Sequence, residues 1–196
     1  MERPSLTFPD DVADRVRAEY ARASVVLEYG SGGSTALAAE TPGLTCFSVE
    51  NDLGWARAMA AWLAAHHPRA DIRLHRAWTG PTKKWGRPRW PRLPLLYPLF
   101  RRYAASVWAR RDFSPPDLIL VDGRFRVACF LTALMHVRRP TRLLWDDYTR
   151  RPNYHVAERY CAPVAVVGRM AVFDVAPREV SPAELAGLRE AILDPE

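Results

Sequence analysis

The stretch that decides the fold is SVVLEYGSGGSTALAAE, residues 24–40. A short β-branched run opens it and indicates a buried strand, and helix-forming residues after Ser34 close it. Between them lies a glycine-rich turn, Tyr29–Thr35. Glycine there permits positive φ and a close approach of a ligand to the backbone, while the helix N-terminus offers free N–H groups to a carboxylate or phosphate. The stretch predicts either a ligand-binding strand–turn–helix unit or an ordinary tight turn.

The alternation of strand and helix continues outward from this stretch. The predicted strands are 24–30, 44–50, 71–77, 117–123 and 141–147, with two more in 163–177 joined by a tight turn at Gly168-Arg169. The predicted helices are 9–22, 34–40, 52–67, 95–111, 124–137, 153–161 and 182–193. This order predicts one doubly wound α/β domain over 1–196, with a core at 24–177 and a mostly parallel seven-stranded sheet that ends in an antiparallel hairpin. Ligands of such sheets bind at the carboxyl ends of the strands, where the strand order reverses.

Composition excludes several classes of protein. The 196 residues carry a net charge of +6 and contain 3 cysteines, which form no C-x-x-C pair and so predict neither a disulfide framework nor a zinc knuckle. No stretch reaches the roughly 20 apolar residues of a membrane span, and the N-terminus has no apolar signal region. The expectation is a cytoplasmic protein with no transmembrane segment.

Positive charge is concentrated in residues 83–102, a segment that contains no acid. Its cations are Lys83, Lys84, Arg87, Arg89, Arg92, Arg101 and Arg102, and tryptophan, tyrosine and phenylalanine lie among them. The prolines and glycines of 78–94 exclude regular structure and predict a mobile segment near the mouth of the site. The basic segment could bind an anionic substrate, stack on nucleic-acid bases, press on a membrane surface, cover the site as a lid, or remain a solvated loop.

Glu50 ends the second predicted strand, 20 residues after Gly30. At that separation an acid can accept hydrogen bonds from a ribose hydroxyl, so the turn and Glu50 together predict an adenosine-containing cofactor. The dinucleotide fingerprint needs glycine at its sixth position, where this chain has Thr35. A dinucleotide is therefore disfavoured.

Three segments resemble the class I S-adenosylmethionine-dependent methyltransferases: VLEYGSGGSTALAAE (26–40), FSVEND (47–52) and LILVDG (118–123). The resemblance covers most of residues 24–177 and implies a Rossmann-like domain. The family's first motif, an acid two residues before Gly-x-Gly, matches Glu28, Gly30 and Gly32, and Gly33-Ser34 stands where the family more often has x-Gly. GPTKKWGRP (80–88) and VDGRFRVACFLTAL (121–134) are similar to uncharacterised bacterial relatives of these enzymes.

The resemblance implies S-adenosylmethionine (SAM) as cofactor. It places the methionine part at the glycine turn, the ribose at Glu50 and the adenine near residues 76–78. The residues that it assigns to the cofactor are Glu28, Tyr29, Gly30, Ser31, Gly32, Gly33, Glu50, Asn51, Ala77, Trp78 and Asp122.

Acidic residues end the fourth and fifth predicted strands, which are neighbours in the sheet order of that family. Asp122, Asp146 and Asp147 could meet there, and a divalent ion or several arginines would relieve their repulsion. VDG followed by WDDY resembles the metal-dependent O-methyltransferases, which implies that the three aspartates bind Mg²⁺. The alternative is that Asp122 contacts the cofactor or a helix N-terminus and the other two cap the next segment.

The candidate catalytic residues are Asp122, Asp147 and His155. A helix start near His155 would keep its imidazole neutral and able to act as a base, although a structural histidine is the alternative. The predicted reaction is SAM-dependent methyl transfer to an oxygen of a small or anionic substrate. An aminopropyl transferase, and a nucleic-acid-binding module that keeps the fold without catalysis, are the other hypotheses.

Overall fold

Seven strands form one sheet in the computed structural model, which describes residues 2–191 and 193–195. The strands are β1 (Val25–Tyr29), β2 (Thr45–Glu50), β3 (Asp71–Arg76), β4 (Leu118–Val121), β5 (Thr141–Trp145), β6 (Ala165–Val167) and β7 (Met170–Val175). They lie in the order β3-β2-β1-β4-β5-β7-β6. β1 to β5 are parallel, and β7 pairs antiparallel with both β5 and β6. The predicted mostly parallel sheet with a terminal hairpin is confirmed.

Helices cover both faces of this sheet, as the doubly wound prediction requires. They are α1 (Asp10–Tyr20), α2 (Gly33–Glu40), α3 (Leu53–His66), α4 (Tyr97–Ala105), α5 (Arg126–His136) and α6 (Pro182–Ala191). On one face Val16 of α1 packs in a cluster with Val26 of β1, and on the other Phe130 of α5 packs with Leu27. Successive residues of β1 thus point into the cores on the two faces of the sheet. Because both faces are buried, the sequence of a central parallel strand is a continuous apolar run.

The predicted helix over 95–111 is divided in the structure. α4 ends at Ala105, and a 3-10 turn follows at Ser106–Ala109. The Ser106 hydroxyl donates to the Arg102 carbonyl and so competes for a helical acceptor, which explains the change of helix type. The predicted helix over 182–193 includes Ile192, which lies outside the described residues.

The predicted helix over 153–161 is a 3-10 helix, Pro152–Arg159. Its buried residues Tyr154 and Ala157 are three positions apart, and a repeat of three residues per turn places both on the same face.

The segment 78–94 is more ordered than its prolines and glycines predict. Thr82 and Pro88 form a bridge, and Lys83 N–H donates to the Arg87 carbonyl at 2.7 Å. The residues between them make a tight turn, so 82–88 is a small hairpin. Sequence patterns miss this hairpin because side chains elsewhere in the fold hold it in place.

The sheet order reverses between β1 and β4, which are neighbours although helices and strands separate them in the chain. The loops after β1 and β4 therefore leave the same edge of the sheet and lead to opposite faces, which opens a crevice between them. Among the described residues no helix is long and apolar enough to cross a membrane.

Candidate functional site

A cleft of about 1030 Å³ lies at the carboxyl ends of the strands, where the sheet order reverses. Residues that follow β1, β2, β4 and β5 line it, together with the 82–88 hairpin and the N-terminal segment. The lining residues that bear on the chemistry are Gly30, Ser31, Gly32, Gly33, Glu50, Asn51, Asp52, Trp55, Lys83, Lys84, Trp85, Arg87, Tyr103, Asp122, Arg124, Arg126, Asp146, Asp147, Arg151 and Arg169.

The glycine turn after β1 is pressed against the turn after β4. Gly30 has a φ of +104°, and a Cβ there would lie 2.8 Å from the Cα of Gly123. A Cβ on Gly123 would in turn lie 2.8 Å from the Tyr29 carbonyl oxygen. Only glycine fits at both positions, because the two backbones touch. The contact fixes the floor of the cleft at the switch point of the sheet.

Glu28 and Tyr29 lie beneath this turn rather than in the cleft. Both are fully buried. Glu28 accepts hydrogen bonds from the Tyr20 hydroxyl and, at 2.7 Å, from the Thr35 hydroxyl, and the Gly32 N–H donates to that same Thr35 oxygen at 3.0 Å. Burial raises the pKa of Glu28. The acid of the first motif therefore holds the first turn of α2 in place from below.

The Tyr29 side chain lies on the other face of the sheet from Glu28, in the core cluster that contains Leu27 and Phe130. Its hydroxyl donates to the Ala104 carbonyl at 2.7 Å and accepts from the Trp108 indole at 2.8 Å. The structure thus gives Tyr29 a packing role between β1 and α4, and only its backbone adjoins the turn.

Glu50 faces the cleft and is held by backbone amides. One carboxylate oxygen accepts from the N–H groups of Asn51 and Asp52, both at 2.8 Å, and the other accepts from Ser31 N–H at 3.3 Å. Burial raises the pKa of Glu50 to about 7, against the opposing effect of these hydrogen bonds. The bond to Ser31 joins the acid of β2 to the glycine turn of β1, so the two sequence features form one wall.

Asn51 and Asp52 anchor the 82–88 hairpin to this wall. The Asn51 amide donates to the Thr79 hydroxyl and to the Gly86 carbonyl, at 2.8 and 2.7 Å. The Thr82 hydroxyl donates to Asp52 at 2.6 Å, and Asp52 also caps α3 by accepting from Trp55 N–H. Lys83, Lys84, Trp85 and Arg87 thereby reach the cleft.

Ala77 and Trp78 do not line the cleft. Ala77 is buried and donates its N–H to the Glu50 carbonyl at 2.8 Å, which extends the pairing of β2 with β3. Trp78 is 44% exposed. The structure thus does not bring these two predicted cofactor residues to the cleft, and the hairpin held by Asn51 lines it instead.

Asp122, Asp146 and Asp147 lie at the cleft, and arginines neutralise them. Arg169 pairs with both oxygens of Asp146 at 2.8 and 2.7 Å. Arg126 lies 3.2 Å from Asp122 and 3.4 Å from Asp147. Of the two ways to relieve their repulsion, the structure shows the arginines. The structure does not show the predicted metal site: the described residues hold no group of three or more His, Cys, Asp or Glu side chains that could hold a metal ion.

Asp122 is the aspartate with the most perturbed titration. Burial and the adjacent Asp146 raise the pKa of Asp122 to about 7, while the Arg126 guanidinium opposes the shift. A carboxyl group with such a pKa can hold or release a proton near neutral pH, which suits a general base.

His155 is exposed and is not among the residues that line the cleft. Its ring packs against Tyr148 with centroids 4.9 Å apart, and the Tyr148 hydroxyl donates to Glu158 at 2.8 Å. The predicted histidine base is thus not brought to the cleft, because the 3-10 helix directs Tyr154 inward and leaves its neighbour outside.

Sequence patterns also missed one wall of the cleft, the N-terminal strap of residues 4–8. It crosses α2 so closely that a Cβ on Gly33 would lie 2.2 Å from the Ser5 carbonyl oxygen. Pro4 and Phe8 are buried, and Arg3 pairs with both oxygens of Glu40 at 2.6 and 2.7 Å. The one signal in the sequence was the unusual glycine at position 33.

The fold is a Rossmann-like α/β domain with a cleft at the switch point of its sheet. A methyltransferase-like protein from Silicibacter pomeroyi is 41% identical to this chain over 100% of both chains, with a TM-score of 0.91. The chain therefore belongs to the class I S-adenosylmethionine-dependent methyltransferases.

Two more distant solved structures share the fold. An O-methyltransferase from Bacillus cereus in complex with SAH is 16% identical, with 89% of this chain and 84% of that chain covered and a TM-score of 0.58. A methyltransferase from Geobacter sulfurreducens is 12% identical, with 86% and 80% covered and a TM-score of 0.54. No protein-family model and no curated protein matches the chain.

Proposed function

We propose that SAM binds in the cleft, with its ribose hydroxyls on Glu50 and its methionine part on the turn Gly30–Gly33. The observation that carries this proposal is the 3.3 Å bond between Ser31 N–H and Glu50, which joins both binding elements in one wall. In this arrangement Glu28 and Tyr29 support the turn from below, and Asn51 holds the hairpin against it.

The residues present fit this cofactor. Among the described residues a single amide, at 3.3 Å, donates to the Glu50 oxygen that faces Ser31, so this oxygen retains the capacity to accept a hydroxyl. The N-terminus of α2 presents first-turn N–H groups and a positive dipole end to a carboxylate. A volume of about 1030 Å³ exceeds the needs of one such ligand and leaves room for a methyl acceptor. The SAH complex of the Bacillus cereus enzyme, which has the same fold, adds support.

The methyl acceptor is, on this proposal, an oxygen of a small anionic molecule. Bound SAM supplies a methyl group that is already activated on a sulfonium, so the protein mainly aligns the two partners and excludes water. Asp122 takes the proton of the acceptor hydroxyl. Seven cations and five acids line the cleft, so the net charge of its lining is positive and favours an anion. The cations are Lys83, Lys84, Arg87, Arg124, Arg126, Arg151 and Arg169.

Arginines, rather than Mg²⁺, set the charge beside the acceptor in this proposal. Asp146 is 1% exposed and already has a two-pronged guanidinium partner, and Asp147 lies near Arg126, Arg151 and Arg169. A cation would have to displace these guanidinium groups. The same positive lining disfavours the polyamine substrate of an aminopropyl transferase.

Calorimetry with S-adenosylhomocysteine (SAH) tests the cofactor assignment. Glu50→Gln should weaken binding by about 1.5–3 kcal/mol, because it removes charge-assisted hydrogen bonds. Asp14→Asn on α1, an exposed acid that does not line the cleft, is the matched control and should leave the affinity unchanged. Binding of NAD without binding of SAH would contradict the proposal.

A further inference from the structure

The chain exposes apolar side chains next to the mouth of the cleft. All residues from Arg89 to Leu95, RWPRLPL, are exposed. Leu95 is 80% exposed and Trp90 50%, and Trp85 at the hairpin tip is 67% exposed. Side chains of this size rarely stand so far into water without a partner when several are close in the chain. We call residues 83–95 the basic apolar segment.

Four of the five cations of this segment have no acidic partner among the described residues. Within the part of the chain that the structure describes, Lys83, Lys84, Arg89 and Arg92 form no ion pair with an acid, whereas arginines elsewhere such as Arg142 do. Lys84 and Arg89 instead lie over the rings of Trp85 and Trp90, at 5.3 and 5.8 Å from the ring centroids. Because no acid occurs in residues 83–102, the surface combines exposed apolar groups with uncompensated positive charge.

We propose that the basic apolar segment docks on an anionic lipid membrane surface. Cations attract the headgroups, and tryptophan and leucine side chains enter the boundary between headgroups and acyl chains. This function is separate from methyl transfer and goes beyond it.

The composition of the segment favours a membrane over other anionic partners. Tryptophan could stack on nucleic-acid bases, but Leu93 and Leu95 gain nothing from stacking and much from a hydrocarbon boundary. A second copy of the chain would bring the same cations face to face, and their repulsion opposes a symmetric contact.

Docking would bring the cleft to the lipid surface. Lys83, Lys84 and Trp85 belong both to the segment and to the lining of the cleft, so the mouth and the docking surface are continuous. An acceptor carried in or near an anionic membrane would then reach the cleft without crossing bulk water.

Co-sedimentation with lipid vesicles tests the proposal. The full chain should bind vesicles that contain phosphatidylglycerol and not vesicles of phosphatidylcholine alone, at an ionic strength of about 0.15 M. The variant with Arg89→Glu and Arg92→Glu should bind on the order of tenfold more weakly or worse. The variant with Trp90→Ala and Leu95→Ser should lose the part of the binding that survives high salt. None of these four residues lines the cleft.

Matched controls carry the same changes elsewhere on the surface. Arg22→Glu with Arg69→Glu repeats the charge change at two exposed arginines, and Leu185→Ser removes an exposed leucine of α6. These variants should bind phosphatidylglycerol vesicles as the natural chain does, and retained SAH affinity checks that every variant is folded. The proposal is overturned if the natural chain ignores both vesicle types, if the controls lose binding equally, or if single-stranded nucleic acid binds more tightly than the vesicles.

Discussion

At the scale of single residues, the account depends on Glu50. Its carboxylate accepts three backbone N–H groups, from Ser31, Asn51 and Asp52, yet burial still raises its pKa to about 7. Desolvation therefore outweighs the hydrogen bonds that favour the charged form. A ligand that donates hydroxyl groups to this carboxylate would shift the balance back toward the charged form.

This shift makes SAH binding dependent on pH. Because the ribose hydroxyls donate to the ionised carboxylate, affinity should rise as the pH increases from about 5.5 to 8 and level off above the pKa of Glu50. Calorimetry across this range measures the effect, and Glu50→Gln should flatten it. A natural chain with the same affinity at both ends of the range, or a Glu50→Gln variant with an unchanged slope, would contradict the role of this acid.

The Glu50 carboxyl has the opposite effect on the free energy of unfolding, which should fall as the pH rises. A carboxyl whose folded pKa lies above its unfolded value stabilises the fold at low pH, and this contribution is lost as the pH rises through about 7. The ligand-free chain should therefore be less stable at pH 8 than at pH 5.5 by at most about 2 kcal/mol from Glu50 alone. Asp122, whose pKa is also about 7, acts in the same sense, so Asp122→Asn separates the two contributions.

Sequence spacing was enough to predict which residues lie together when the order of strands alone decides their position. Gly30 and Glu50 end adjacent strands, so the α/β alternation was enough to bring them together. The arginine partners were not predictable: Arg126 and Arg169 lie 20 or more residues from Asp146, and only the antiparallel return of β7 places Arg169 there. His155 was misplaced for a related reason, since its orientation depends on the 3-10 geometry of the segment that carries it.

At the scale of elements, the N-terminal strap and α2 form a close crossing. The backbone of Ser5 and Leu6 lies against Gly33, the position at which this chain departs from the usual pattern of its family. The glycine that weakens the first motif therefore has a packing role, because it admits the strap as a wall of the cleft. No periodic pattern marks residues 4–8, so the sequence alone could not place them.

Two adjacent glycines provide a direct test of this crossing. Gly33→Ala should destabilise the fold by about 1–3 kcal/mol or release the strap, because the new Cβ would lie 2.2 Å from the Ser5 carbonyl oxygen. Gly32→Ala is the control, since a Cβ there meets nothing within 4 Å. Urea unfolding and limited proteolysis of residues 2–9 measure the two effects. Equal stability and equal protection of the two variants would show that the strap does not depend on Gly33.

The 82–88 hairpin is the second element that sequence patterns could not predict. Prolines and glycines exclude a regular helix or strand, but they do not show that Asn51 and Thr82 supply side-chain hydrogen bonds across the loop. Trp85 there has a φ of +64°, and Asp147 on the opposite side of the cleft has a φ of +59°. Both are non-glycine residues in the left-handed region, which costs on the order of 1 kcal/mol or more and is commonest at functional sites.

At the scale of the whole molecule, positive charge is unevenly distributed and is concentrated in residues 83–102. Ion pairs neutralise many arginines at strand ends and helix surfaces, whereas Lys83, Lys84, Arg89 and Arg92 form no ion pair with an acid among the described residues. The net charge of +6 thus has a local origin in residues 83–102, and the two proposals, an anionic acceptor in the cleft and an anionic membrane beside it, both depend on this charge. The sheet order was predictable from the strand–helix alternation and the family resemblance, but this distribution was not.

The most direct test of the central claim is a crystal structure of the protein with SAH. The account predicts ligand density in the cleft, with the ribose hydroxyls within hydrogen-bonding distance of Glu50 and the homocysteine part against Gly30–Gly33. Density at another place on the protein, or an empty cleft at a saturating concentration of SAH, would contradict it.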